Sequence, residues 1–236
     1  MLVLAQQPGA LAGSDLHSPA TSALGSLVSA HDAFDFLESE EERLTGVTEP
    51  EDTPPSYRSE LDTVLEDLDA LSTVRSPHGT GGVYFLEDRS HRSKVVFKPF
   101  EEENETTDGN GFRKEYAAFL LDNGLAGVPE TKISHVHMKD KGLQLGSVQA
   151  YVSESEDAED FGSGLFAVED IHRIGVLDIR ILNCDRHSGN LMRNKRTGKL
   201  VPIDHGSSFP SAFSDKLGEV SFEWLQYPQA KVPFSP

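Results

Sequence analysis

The chain has 236 residues, a formal net charge of −18, and 39 acidic against 21 basic side chains. This length is sufficient for one folded domain with a core and a tail, and the acidity excludes the basic patches on which nucleic-acid binding depends. One cysteine excludes a disulfide framework, and no apolar run reaches the roughly 18 residues of a membrane-spanning helix. We therefore expect a cytoplasmic protein that associates with membranes only peripherally.

The N-terminal third carries most of the negative charge, with 15 acidic and 3 basic side chains in residues 1–80. We expect residues 1–78 to form an acidic, low-complexity tail with one or two short helices. The first helix is expected at His31–Leu44. The second is expected at Tyr57–Val74 and should pack on the folded domain, with a docking or autoinhibitory segment as the alternative. Its apolar residues at helical spacing are Leu61, Val64, Leu65, Leu68 and Leu71.

A glycine-rich segment, GTGGVYFLED, occupies residues 79–88 and leads into predicted strands. Its glycines permit a tight turn and allow backbone N–H groups to approach a phosphate, although a simple hairpin turn is the alternative. The next strand, Ser93–Phe100, alternates so that Lys98 lies on one face and apolar residues lie on the other. If Lys98 points inward, its ammonium needs an anionic partner. The alternative is that Lys98 is an ordinary surface lysine on an edge strand.

The partner of Lys98 is expected on the following helix, Phe112–Gly124. Glu115 falls on the same side of this helix as two of its aromatic residues, so its carboxylate can point toward Lys98. The helix is predicted to end at its Asn-Gly pair. Two alternating segments, Thr131–Lys139 and Leu143–Val152, then predict a pair of strands around a short turn.

The segment Val176–Gly206 holds the densest set of polar residues suited to catalysis. It begins inside a predicted helix, Phe166–Leu182, in which Asp178 lies near the apolar face. A carboxylate in that position should be hydrogen-bonded. We expect Asp178 to support the following loop, through Arg186 or through loop amides.

Several side chains of this segment have the chemistry that phosphoryl transfer needs. Asp185 and Asn190 stand five positions apart, as the base and a metal ligand do in kinase catalytic loops. Asn190 and Asp204 offer the oxygen ligands that Mg²⁺ prefers. Either Asp185 or His187 can accept the proton of an attacking hydroxyl. The segment therefore predicts a phosphotransferase.

The reversed triplet Asp185-Arg186-His187, with the flanking sequences LVPIDHGSSFP and FEWLQYPQAKVPFSP, resembles the phosphatidylinositol 3-/4-kinase superfamily. The resemblance is strongest to type II and plant gamma-class phosphatidylinositol 4-kinases. It implies an α+β, bilobal protein-kinase-like fold, with an N-lobe at residues 79–152 and a partial C-lobe at residues 153–236. About 30 residues follow Asp204, so the C-lobe is expected to be incomplete.

The resemblance also implies roles for individual residues, with ATP and Mg²⁺ as cofactors. Asn190 and Asp204 are expected to hold the metal. The catalytic residues are expected to be Asp185, Arg186, His187 and Asn190, with either Asp185 or His187 as the base. The residues expected to bind the nucleotide are Gly81, Gly82, Val83, Tyr84, Lys98, Glu115, Gln149, Ala150, Tyr151, Val152 and Asp204, and residues 149–152 of this set form the hinge between the lobes.

Three functions are compatible with the sequence. The first is an ATP- and Mg²⁺-dependent phosphatidylinositol 4-kinase that phosphorylates the 4-hydroxyl of phosphatidylinositol during transient contact with a membrane surface. The second is a protein Ser/Thr kinase on the same scaffold, favoured by the acidity and by the lack of a Cys-rich anchor. The third is a non-catalytic ATP-binding or scaffold protein, favoured by the short C-lobe. The intact set of motif residues favours an enzyme.

Overall fold

The computed structural model describes residues 59–77, 81–103, 110–210 and 220–234. The helix expected at His31–Leu44 and the first glycine of the glycine-rich segment lie outside the described residues. The described elements form two lobes: a five-stranded sheet with one long helix, followed by a second long helix with a smaller sheet. The expected α+β, bilobal architecture is confirmed. Within the described part of the chain, no helix is long and apolar enough to cross a membrane.

The N-terminal lobe is built on a five-stranded antiparallel sheet. Its strands are β1 (Ser72–Arg75), β2 (Tyr84–Glu87), β3 (Ser93–Pro99), β4 (Thr131–Met138) and β5 (Gly142–Ala150), in the order β1-β2-β3-β5-β4. Val95 and Phe97 are buried on one face of β3, and Lys98 lies on the other. Because β3 pairs with both β2 and β5, Lys98 is on a central strand, and the edge-strand alternative is wrong.

A short helix, α1 (Glu60–Leu65), packs on the apolar face of this sheet. A capping box begins it: the Ser59 hydroxyl accepts a hydrogen bond from the Asp62 amide, and the Asp62 carboxylate accepts one from the Ser59 amide. Leu61 is buried in the same core as the central strands. The predicted packing of this segment on the folded domain is confirmed.

The predicted helix at Tyr57–Val74 is wrong in its C-terminal half. After a 3₁₀ turn at Leu68–Ala70, the chain forms β1 and pairs with β2. β-branched residues at Thr73 and Val74 favour an extended backbone, and the free edge of β2 supplies the hydrogen-bond partners. The sheet of the N-terminal lobe therefore includes residues that precede the expected lobe boundary at residue 79.

The long helix of the N-terminal lobe is α2 (Gly111–Asp122). The Glu103 carboxylate accepts hydrogen bonds from the first two amides of the helix, those of Gly111 and Phe112, at 2.9 and 2.6 Å. These amides have no acceptor inside the helix. The helix ends at Asn123, which has a φ of 45° in the left-handed region, as its Asn-Gly pair predicts. The helix lies against β4 and β5 and carries Glu115 on its buried side.

The turn after α2 is organised by the buried carboxylate of Asp122. It accepts hydrogen bonds from the amides of Ala126, Gly127 and Val128, at 2.7, 2.9 and 3.0 Å. We expect Asp122→Ala to lower the free energy of unfolding by about 2–4 kcal/mol, because three amides lose an ionised acceptor. Chemical denaturation measures this loss, with the exposed Asp140→Ala as the control. An unchanged denaturation midpoint in Asp122→Ala would contradict the prediction.

The C-terminal lobe is centred on helix α3 (Val168–Ile181) and a three-stranded antiparallel sheet. The predicted helix Phe166–Leu182 is confirmed, with small differences at its ends. The strands are β6 (Ser155–Asp157), β7 (Leu191–Asn194) and β8 (Leu200–Pro202), in the order β6-β7-β8. The core between helix and sheet contains Ile171, Ile174, Leu177, Ile181, Leu191 and Leu200.

The last described segment packs against α3 as two 3₁₀ turns, Glu223–Gln226 and Pro228–Lys231. Trp224 and Tyr227 are buried in the core of the lobe. The Trp224 ring lies over Gly175, where an added Cβ would approach the ring to 3.2 Å. A glycine at that position of α3 therefore allows the segment to lie close to the helix.

Candidate active site

Three charged side chains from different elements meet between the two lobes. Lys98 comes from β3, Glu115 from α2, and Asp204 from the loop after β8. The Lys98 ammonium donates to Glu115 Oε1 at 2.5 Å and to Asp204 Oδ1 at 2.9 Å. The predicted ion pair of Lys98 and Glu115 is confirmed, and Asp204 joins it from the C-terminal lobe. We refer to these three side chains as the ion triad.

Burial and the neighbouring charges shift the pKa values of Lys98 and Glu115 in opposite directions. Burial alone would lower the pKa of Lys98, but the carboxylates of Asp204 and Glu115 outweigh it and raise that pKa above its usual value. Burial would raise the pKa of Glu115, whose side chain is 2% exposed, but Lys98 and His205 hold that pKa below its usual value. Lys98 and Glu115 are therefore both charged at neutral pH. The Asp204 side chain is 50% exposed, so it can also contact a ligand.

The loop between α3 and β7 carries the other predicted catalytic residues. Asp185 and His187 are exposed, whereas Asn190 is buried. Asn190 Nδ2 donates to the Asp185 carbonyl at 2.8 Å, so Oδ1 is the side-chain atom that Asn190 can offer to a cation. The Ile203 amide donates to the Asn190 carbonyl at 3.1 Å. This bond ties Asn190 to the residue that precedes Asp204.

A buried ion pair holds this loop. Arg186 Nε donates to both carboxylate oxygens of Asp178, at 3.1 Å each. Arg186 Nη1 donates to the carbonyls of Asn190 and Ile203, at 2.6 and 2.8 Å. The hypothesis that Asp178 supports the loop through Arg186 is confirmed. The Arg186 side chain is only 1% exposed, and its guanidinium contacts Asp178 and the carbonyls of the loop.

We expect Asp178→Asn to lower the free energy of unfolding by about 3–5 kcal/mol, because it leaves the Arg186 guanidinium buried without an ionised partner. Trp224 Nε1 also donates to Asp178 Oδ2, at 3.0 Å, so the C-terminal segment depends on the same carboxylate. Thermal and denaturant unfolding measure the loss. Asp185→Asn, which changes an exposed carboxylate nearby, is the matched control, and equal stability of the two variants would refute the prediction.

The two candidate bases differ in what they present to solvent. His187 Nδ1 accepts a hydrogen bond from the Gly189 amide at 3.1 Å. An imidazole nitrogen that accepts a hydrogen bond carries no proton, so the neutral ring holds its proton on Nε2. The Asp185 carboxylate accepts no hydrogen bond from the described residues. Neutral His187 thus presents a donor, and Asp185 presents acceptor oxygens.

The sequence matches a known family over its C-terminal half. A model of the family "Phosphatidylinositol 3- and 4-kinase" matches residues 113–236. The chain belongs to this family. Phosphatidylinositol 4-kinase gamma 2 from Arabidopsis thaliana is 36% identical over 85% of this chain and 46% of that protein's length. The resemblance seen in the sequence motifs is confirmed.

Other relatives agree with this membership of the phosphatidylinositol 3- and 4-kinase family. Phosphatidylinositol 4-kinase gamma 4 from Oryza sativa subsp. japonica is 37% identical over 69% of this chain and 34% of its own length. The chain spans less than half the length of these two relatives. Among solved structures, the Mycobacterium tuberculosis PknI kinase domain aligns with 59% of this chain and 61% of its own, at 14% identity and a TM-score of 0.36.

In this member of the family, Gly82 of the glycine-rich segment packs against the 3₁₀ turn Phe100–Glu102 that follows β3. The Gly82 amide donates to the Glu102 carbonyl at 3.2 Å, and an added Cβ on Gly82 would lie 2.5 Å from Glu102 Cβ. Tyr84 is buried in the apolar core, and its hydroxyl donates to Glu102 Oε1 at 2.7 Å. A glycine at position 82 is therefore required for this close approach. The Tyr84 side chain lies on the apolar face of the sheet, opposite the face that carries Lys98.

The strand register places the Tyr84 side chain, which is expected to contact the nucleotide, on the face of the sheet opposite Lys98. Tyr84 pairs with Phe97, and Phe85 pairs with Val96. Cross-strand partners share a face of the sheet, so the Phe85 side chain lies on the same face as Lys98, and the Tyr84 side chain lies on the opposite face. Sequence reasoning did not identify Phe85 as the β2 residue on the Lys98 face, because that assignment needs the register between β2 and β3.

The segment that joins the lobes contains the expected hinge residues. Gln149 is buried at the end of β5. The amides of Ala150 and Tyr151 donate to backbone carbonyls of neighbouring segments, at 2.8 and 3.0 Å. Among the described residues, no backbone carbonyl accepts a hydrogen bond from the Val152 amide. Of these three amides in the expected hinge, that of Val152 is therefore the one without a backbone acceptor in the described part of the chain.

Proposed function

We propose that the chain is an ATP- and Mg²⁺-dependent phosphatidylinositol 4-kinase. The observation that carries this proposal is the ion triad, which lies beside the loop that Arg186 holds. The triad joins a lysine suited to binding phosphate to a carboxylate suited to binding a metal. The names of the relatives, which are phosphatidylinositol 4-kinases, support the lipid as the acceptor and its 4-hydroxyl as the site of transfer. Residues 79–152, extended by α1 and β1, would form the N-lobe, and residues 153–236 would belong to the C-lobe.

The N-lobe residues would bind the nucleotide. Lys98 binds the α- and β-phosphates, and Glu115 holds its ammonium in the cleft, where both are charged at neutral pH. Gly81 would present its backbone N–H group to the phosphates, whereas the Gly82 amide already donates to the Glu102 carbonyl and fixes the position of this segment. The adenine edge lies at the hinge, where the Val152 amide is the available donor.

The donor set of the C-lobe suits Mg²⁺. Asn190 offers an amide oxygen and Asp204 offers a half-exposed carboxylate, and both are the hard oxygen donors that this ion prefers. Each is held by the loop that Arg186 supports, Asn190 through its carbonyl and Asp204 through the preceding Ile203. When bound, the metal supplies positive charge to the β- and γ-phosphates during transfer.

Asp185 is the proton acceptor in this proposal. The 4-hydroxyl oxygen of the lipid forms a bond to the γ-phosphorus, its proton passes to the Asp185 carboxylate, and the bridging oxygen leaves with ADP. His187 presents Nε2–H in its neutral form, and this donor is suited to the negative charge on the transferred phosphoryl oxygens. The two residues thus have separate roles, acceptor and donor.

Transfer of labelled γ-phosphate from ATP to phosphatidylinositol vesicles tests the proposed function. We expect label in the lipid, at the 4-position of its headgroup, only when Mg²⁺ is present. Acidic and basic peptides are the parallel acceptors, and label in peptides alone would contradict the lipid assignment and favour a protein kinase. Thermal stabilisation by MgATP without transfer to any acceptor would favour a non-catalytic ATP-binding protein.

A further inference from the structure

The C-terminal 3₁₀ turn Glu223–Gln226 contacts the catalytic loop through its first residue. The Glu223 amide donates to the Arg186 carbonyl at 3.2 Å, and Glu223 Oε2 accepts from the Ser188 amide at 2.8 Å. These two contacts lie on either side of His187. Glu223 therefore holds the backbone both before and after that residue.

The Glu223 carboxylate is itself fixed in place. The Tyr227 hydroxyl donates to Glu223 Oε1 at 2.8 Å, and the Tyr227 ring is buried against Phe166 at 5.8 Å between ring centroids. Burial would raise the pKa of Glu223, but hydrogen bonds from Ser188 and Tyr227 outweigh it and lower that pKa. Glu223 is thus an ionised, oriented acceptor at neutral pH.

The loop needs such an acceptor at this point. Ser188 begins the 3₁₀ turn Ser188–Asn190, and the first amides of a helical turn have no acceptor within the turn itself. Glu223 supplies one from a segment that is separately anchored, since the adjacent Trp224 donates to Asp178. The loop is therefore held from inside by Arg186 and from outside by Glu223.

We propose that Glu223 is a positioning residue for the catalytic loop, which fixes Asp185 and His187 relative to the acceptor hydroxyl. For its kinetic part this inference rests on the proposed kinase function. A displacement of about 1 Å at a reacting group can cost about 10²-fold in rate. Loss of Glu223 therefore lowers kcat, whereas ATP binding, which uses Lys98 and the hinge, is retained.

Steady-state kinetics of three variants test the positioning role. In Glu223→Ala we expect kcat to fall about 10- to 100-fold, with the KM for ATP within about twofold of wild type. Glu223→Gln keeps an oxygen that can accept from the Ser188 amide, so it should restore kcat to within about threefold of wild type. Gln226→Ala, an exposed change in the same 3₁₀ turn, is the matched control and should not alter kcat.

Amide hydrogen exchange of residues 184–191 tests the same inference without any turnover. We expect faster exchange of this peptide in Glu223→Ala and wild-type exchange in Glu223→Gln and Gln226→Ala. If the wild-type chain transfers phosphate to no acceptor, the proposed function fails, and the exchange result alone decides the role of Glu223. Unchanged exchange, an unchanged kcat in an active protein, or faster exchange throughout the C-terminal lobe would each overturn the positioning role.

Discussion

Asp204→Asn is expected to reduce phosphate transfer about 10³-fold or more, because several kcal/mol of charge stabilisation by a bound metal correspond to such a factor. Asp204 serves two partners: Oδ1 accepts from Lys98 at 2.9 Å, and the half-exposed carboxylate is proposed to hold Mg²⁺. The amide of the variant can still accept from Lys98, but it lacks the negative charge that attracts the cation. The rate loss should therefore come with a higher Mg²⁺ requirement.

Transfer assays over a Mg²⁺ titration, together with thermal stabilisation by ATP, measure this change. Because the Lys98–Glu115 pair is intact in the variant, ATP without metal should stabilise Asp204→Asn and the wild type to a similar degree. Asp140→Asn, which alters an exposed carboxylate in the β4–β5 turn, is the matched control. Equal transfer by Asp204→Asn and the control at low Mg²⁺ would contradict the metal role.

The contacts that could be predicted from sequence are those fixed by local periodicity. Alternation along β3 set the face of Lys98, and helical spacing set the side of Glu115, so their ion pair followed from two independent patterns. Asp178 was predicted to support the loop because a carboxylate beside an apolar helix face needs a partner, and Arg186 is that partner. In both cases, a buried charge has few ways of being satisfied.

The features that the sequence did not predict depend on register and on distant partners. The face of Tyr84 follows from how β2 pairs with β3, and no pattern within β2 itself defines that pairing. The helically spaced leucines end at Leu71, and residues 72–75, which were included in the predicted helix, instead pair with the edge of β2 as a strand. Glu223 reaches Ser188 across 35 positions of sequence, and no periodicity within either segment pairs the two residues.

Asp185→Asn is expected to lower kcat by about 10²- to 10⁴-fold, the range typical of a lost general base, with little change in the KM for ATP. The reason is geometric: Asp185 is exposed and presents acceptor oxygens, whereas His187 Nδ1 is engaged by the Gly189 amide, so the neutral ring presents a donor. His187→Asn keeps an N–H donor and should lose less activity. Rates measured for both variants with phosphatidylinositol vesicles give the comparison.

The Asp185 and His187 variants also separate the two roles through their relative rates. If Asp185 is the acceptor, Asp185→Asn should be the slower of the two variants. If His187 were the acceptor, its variant would be the slower one. A greater loss of kcat in His187→Asn than in Asp185→Asn would therefore reverse the assignment and move the proton to the imidazole.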